Sequence, residues 1–124
     1  MLNVALFITL FVGLGFDWML QTDWEAQNKM TNWLPRLLHS LIYSLASLQL
    51  MIWSAPGPYM WVIFTILLIS HFIIDQRGIV KWWMRVIKQI SREQVNNPRL
   101  TGWLQIGIDQ WMHVFVIYII SLVF

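Results

Sequence analysis

Six ionisable side chains stand inside long apolar stretches of this sequence: Asp17, His39, His71, Asp75, Asp109 and His113. All three histidines of the chain are among them. Two pairs, His71 with Asp75 and Asp109 with His113, repeat an i, i+4 spacing, which on a helix puts both members on one face. Imidazole and carboxylate are the usual ligands for Zn²⁺, and for Mn²⁺ or Fe²⁺, where no thiolate is available, and the chain has no cysteine. These groups exceed one tetrahedral shell, so some are expected to support the ligands from behind or to form a second metal position. The same residues have two competing uses: hydrogen-bonded pairs that help helices associate, and a proton or ion conduit. The stretches around Val4 to Leu10 and Val114 to Phe124 are almost wholly apolar, which argues against a conduit. No Gly-x-Ser-x-Gly elbow, phosphate loop or His-Glu-x-x-His helix is present.

The elements that must position these groups are set by composition. Of 124 residues, 58% are apolar and only 11% charged, against about a quarter charged in a soluble domain. An all-α, polytopic membrane protein follows. Residues 1–16 carry no charge, 37–74 carry no Asp, Glu, Lys or Arg, and 100–124 carry only Asp109. The middle run would make a helix of roughly 57 Å, nearly twice a ~30 Å hydrocarbon core, so it must turn back at Ser54-Ala55-Pro56-Gly57-Pro58. Four transmembrane helices are expected, at about 2–21, 36–53, 59–76 and 102–124, in a single membrane domain. The first lacks the basic start and small-residue cleavage site of a signal peptide and is expected to be retained.

All eight Lys and Arg fall in the two connections on one side: Lys29 and Arg36 in the first, Arg77, Lys81, Arg85, Lys88, Arg92 and Arg99 in the second. That asymmetry places both termini outside the cytoplasm. In the second connection Ile79, Trp83, Val86, Ile87 and Ile90 recur at helical spacing, opposite a stripe of Arg77, Lys81, Arg85, Lys88 and Arg92. An amphipathic interfacial helix over about 77–95 is expected, its cations against anionic headgroups and Asn96-Asn97-Pro98 ending it. Membrane lipids are thus the expected partners, and nothing calls for nucleic acid. Thr22-Asp23-Trp24-Glu25 has the spacing of a capping box. Ser40, Ser44 and Ser47 make a small hydroxyl face suited to close helix contact, and Tyr43 is expected to pack.

Depth is legible too. Counting ~20 residues back from Phe124 puts Asp109 about 6 Å inside the cytoplasmic boundary, while His39, His71 and Asp17 each lie three to six residues from the cytoplasmic ends of their own spans. The helices alternate in direction, yet their ionisable groups arrive at one level. Three carboxylates gathered there repel one another, and a divalent cation resolves the conflict.

The run from Asp17 through Gln21-Thr22-Asp23-Trp24, with Ala26, Asn28 and Lys29, resembles the start of a bacterial and phage membrane family catalogued as domain of unknown function 3307. That family reads His-x-x-x-Asp-Phe-x-x-Gln-Thr-Asp there, then a His in the second helix, His-x-x-x-Asp in the third and Asp-x-x-x-His in the fourth. His39, His71, Asp75, Asp109 and His113 match the later positions in order. The family's first His would fall at Gly13, which ligates nothing; Gly13 and Asp17 align with His71 and Asp75 as though the first and third helices were repeats. More distantly the pattern is similar to damage-inducible, membrane-bound, metal-dependent hydrolases.

The resemblance and the residues together lead to an inner-membrane protein of bacterial type with a metal, foremost Zn²⁺, held by His39, His71, Asp75, Asp109 and His113. Gly13 would leave a coordination position open to water and Asp17 free as general base, making a hydrolase of lipid-linked substrates. The rival is a non-catalytic, phage-type protein that alters or excludes envelope processes, with the polar cluster holding the bundle together.

Overall fold

Asparagine, threonine and serine mark where the helices begin. In the computed structural model, which covers residues 1–124, Asn3 caps α1 (Val4–Met19), Thr22 caps α2 (Asp23–Asn28) and Asn32 caps α3 (Trp33–Ser54). Thr22 and Glu25 form the reciprocal capping box that their spacing predicts. After the Pro-Gly-Pro turn come α4 (Met60–Ile74), α5 (Gly78–Val86), α6 (Arg92–Val95) and α7 (Pro98–Val123).

The surface helix expected as one piece over 77–95 is two. It stops after Val86, where Gln89 takes a left-handed conformation (φ 53°) and the Ile90 N–H turns back to the Met84 carbonyl at 3.0 Å; Ser91 then caps α6. Asn97 and Pro98 do not end that segment but open α7, as its cap and first residue. A proline at this position loses no helical hydrogen bond, so α7 starts about a turn before residue 102. α5 also has a second apolar face: Val80 and Met84 are buried with Val95 against Leu104, Ile108 and Met112, while Ile79, Trp83, Val86 and Ile87 are exposed.

α1, α3, α4 and α7 form a ring in which α1 touches α3 and α7, and α4 touches α3 and α7. Asn3 N–H donates to Ser121 O at 2.7 Å and the Tyr59 ring lies 5.4 Å from that of Phe124, so both termini and the Pro-Gly-Pro turn share one end. The ring's interior is inverted relative to a soluble protein. Half of the 32 buried residues are polar, whereas Phe11, Trp61, Ile69, Trp103, Trp111 and Phe115 are exposed. Such an inside-out distribution suits a lipid surround. α3 and α7 are each long and apolar enough to cross a membrane; α4 reaches that length only with α5, across a 61° bend, and α1 is apolar but 16 residues long.

Toward the termini the interior is dry, filled by Leu6, Leu10, Leu48, Met51, Ile63, Leu67, Ile117 and Ile120. This apolar plug lies between the polar cluster and that end, broken only by small hydroxyl side chains such as Thr9, Ser47 and Ser121. Between plug and cluster, α1 and α3 meet closely at Gly13: a Cβ there would lie 2.6 Å from Ser47 Oγ. The position expected to be an empty ligand site is therefore occupied by helix packing.

Candidate metal centre

α1 contributes Asp17, α3 His39, α4 His71 and Asp75, and α7 His113 and Asp109, each at most 3% exposed. Every helix of the ring delivers at least one group to the same level. Asp17 Oδ1 lies 2.6 Å from His39 Nε2 and 3.3 Å from His71 Nε2. The two imidazole nitrogens are 3.2 Å apart, and Asp75 Oδ2 is 3.2 and 3.4 Å from them. A regular tetrahedron of ligands ~2.0 Å from a Zn²⁺ has edges of ~3.3 Å. Five separations among these four atoms, 2.6–3.4 Å, thus lie near that edge.

Hydrogen bonding alone does not account for this convergence. A neutral imidazole offers one N–H and one lone pair, yet His39 Nε2 faces two carboxylate oxygens, a second imidazole nitrogen and an ammonium. Asp17 Oδ1, both Asp75 oxygens, Asp109 Oδ1 and His113 Nε2 are buried without an aligned hydrogen bond. Charged groups at membrane depth cost roughly 2.5–3.5 kcal/mol each on an insertion scale, a cost that a cation held among these carboxylates would offset.

Two ligand groups are possible, Asp17 with His39 and His71, and His71 with Asp75 and His113. His71 belongs to both and is held by stacking, with Tyr43 and His113 rings 4.2 Å away on either contact. Tyr43 packs, as its position suggested. Asp17, expected as a general base, belongs to the first of these candidate groups. Asp109, expected as a ligand, stays outside both groups: its Oδ1 is 4.0 Å from His113 Nε2.

Three residues enter that spacing alone did not nominate. Lys29, 7% exposed, sets its Nζ 3.0 Å from both Asp75 Oδ2 and His39 Nε2, and donates to Gln21 Oε1 at 3.1 Å. Gln110 Nε2 donates to Asp17 Oδ2 at 3.1 Å. Gln21 carried a signal in its i, i+4 relation to Asp17; Lys29 read only as one of the cytoplasmic cations, and Gln110 gave none. Beside the cluster a cavity of about 560 Å³ opens between α1, α2, the start of α5 and α7, with Asp17, Lys29 and Asp109 in its wall.

A family model described as Protein of unknown function (DUF3307) matches residues 3–124. The chain belongs to the DUF3307 family. The match spans all seven helices, so the centre lies wholly within the DUF3307 region. No curated protein and no solved structure matches the chain.

Proposed function

We propose that this DUF3307 protein is a four-span enzyme of a bacterial cytoplasmic membrane, a metal-dependent hydrolase of lipid-linked substrates. The observation that carries the reading is the buried meeting of Asp17, His39, His71, Asp75 and His113, in which Asp17 with His39 and His71, and His71 with Asp75 and His113, could each hold a metal ion. It is strengthened by the open cavity at its side. Zn²⁺ suits this donor set best, with Mn²⁺ and Fe²⁺ next. A divalent ion there supplies Lewis acidity and makes water a nucleophile near neutral pH. Asp109, buried, outside both ligand groups and facing the cavity, is the residue placed to accept the proton. The test compares lipid extracts treated with metal-loaded wild type and with His71→Ala. New cleavage products from wild type alone are expected, and equal yields across phospholipid and lipid-linked sugar substrates would remove the hydrolase reading.

Lys29 favours a second reading. Its ammonium against Asp75 and His39 already supplies one positive charge, and a charge-compensated cluster that only holds the helices together would need no metal. Metal content separates the two.

The orientation is also proposed: α2, α5 and α6 in or on the cytoplasmic face, both termini outside, as the eight cations at one end require. Reporter fusions at Phe124 should be active only with an extracytoplasmic reporter, and a fusion near Lys81 only with a cytoplasmic one. The opposite pattern would reverse the assignment of the site to the cytoplasmic leaflet.

A further inference from the structure

The cavity beside the cluster has features that the metal centre does not use. Its deep wall carries the cluster's own Asp17 and Asp109, but two cations, Lys29 and Arg77, also line it. Arg77 has no carboxylate within 4 Å and its side chain makes no hydrogen bond to the protein. It adopts φ 60°, ψ 9°, the left-handed region that a long side chain rarely enters and glycine enters freely. Glycine is the very next residue, yet no glycine of the chain has a positive φ. The left-handed turn after α4 is thus made by a residue that lines the cavity.

Arg77 also begins α5 without a side-chain cap, and the N–H groups of Gly78, Ile79 and Val80 donate to no backbone carbonyl. These donors add a positive end beside the same space. The cavity's lips differ in kind. Trp18, exposed, and Ile106 form an apolar one at the seam of α1 and α7; Thr22 and Asp23, both exposed, form a polar one. Asp23 is taken up by Gln27 at 3.0 Å, Asp17 by His39 and Gln110, and Lys29 by Asp75, His39 and Gln21, which leaves Arg77 as the cation for the occupant.

We propose that the cavity binds the phosphate of a single lipid, its oxygens on Arg77 and its chain leaving past Trp18 and Ile106 into the bilayer. The inference rests on the cavity being the substrate side of the proposed metal centre, and it names that substrate as a lipid phosphate ester. Arg77 is the specificity-determining residue, since a planar guanidinium matches two phosphate oxygens at once.

The test uses the full chain, metal-loaded, in nanodiscs of zwitterionic lipid, with equilibrium binding of radiolabelled dodecyl phosphate, inorganic phosphate and dodecyl maltoside; empty nanodiscs give the background. Wild type should take up about one equivalent of dodecyl phosphate, at least ~10-fold more tightly than either other probe, as a bidentate charged contact plus chain burial requires. Arg77→Gly, which relieves the backbone, should weaken it at least ~10-fold with metal content unchanged. Arg77→Lys should recover part of the loss, and Arg85→Gln, on the exposed surface, should have no effect. Equal binding by Arg77→Gly, or equal loss in Arg85→Gln, would overturn the proposal, as would inorganic phosphate binding as tightly as the lipid form. If Arg77-dependent binding is found but no phosphate ester is cleaved, the hydrolase reading fails and this one stands; cleavage indifferent to Arg77 gives the reverse.

Discussion

His71→Ala should strip the protein of metal, from about one equivalent to less than ~0.1, while Ser44→Ala keeps it. His71 is the one residue common to both possible ligand groups, so no rearrangement onto the other group can compensate. Ser44 is buried on α3 as His39 is but spends its hydroxyl on the Ser40 carbonyl at 2.8 Å and has no part in the cluster. Elemental analysis of gently extracted protein, supplemented with Zn²⁺, Mn²⁺ and Fe²⁺, measures the difference. Sub-stoichiometric metal in wild type would defeat the prediction and leave Lys29 as the cluster's counter-charge. Because the pair of Lys29 with Asp75 survives in His71→Ala, the variant should still extract as a folded protein. A thermal melt separates loss of metal from loss of structure.

The second large effect divides the two buried carboxylates that line the cavity, Asp17 and Asp109. Asp109→Asn should retain the metal and lower turnover by roughly 10²- to 10⁴-fold, the range for a lost general base. Asp17→Asn should weaken metal binding, because it removes one of the two ligand groups and leaves only His71, Asp75 and His113, while Asp109 belongs to neither and its Oδ1 stays 4.0 Å from His113 Nε2. Metal content and turnover measured on both variants decide the assignment. If Asp109→Asn loses metal and Asp17→Asn keeps it, the roles return to those that spacing alone suggested. If neither variant changes either quantity, the cluster is structural.

The placement of Asp17 and Asp109 marks where one-dimensional reading reaches and where it stops. Helical character, the turn at Pro56 to Pro58, the capping box at Thr22 and the gathering of Asp17, His39, His71, Asp75, Asp109 and His113 at one level were all legible in the sequence. Each depends on spacing along one helix or on distance from a charged end, and both are linear quantities. The family likeness was legible as well, in the order of the same residues. The break between α5 and α6 was not, because Ile87 and Ile90 continue the helical period while Gln89 and the Ser91 cap interrupt the backbone. Tertiary structure decided the rest. Spacing states which face a residue occupies but not which way that face turns in the ring, and so it could not tell that Asp17 points between His39 and His71 while Asp109 points to the cavity. Nor could it bring Lys29, in a short connecting helix, back over the bundle to Asp75, or set Ser47 against Gly13. Those placements depend on how four cylinders rotate against one another, which close packing between helices determines and no single helix contains.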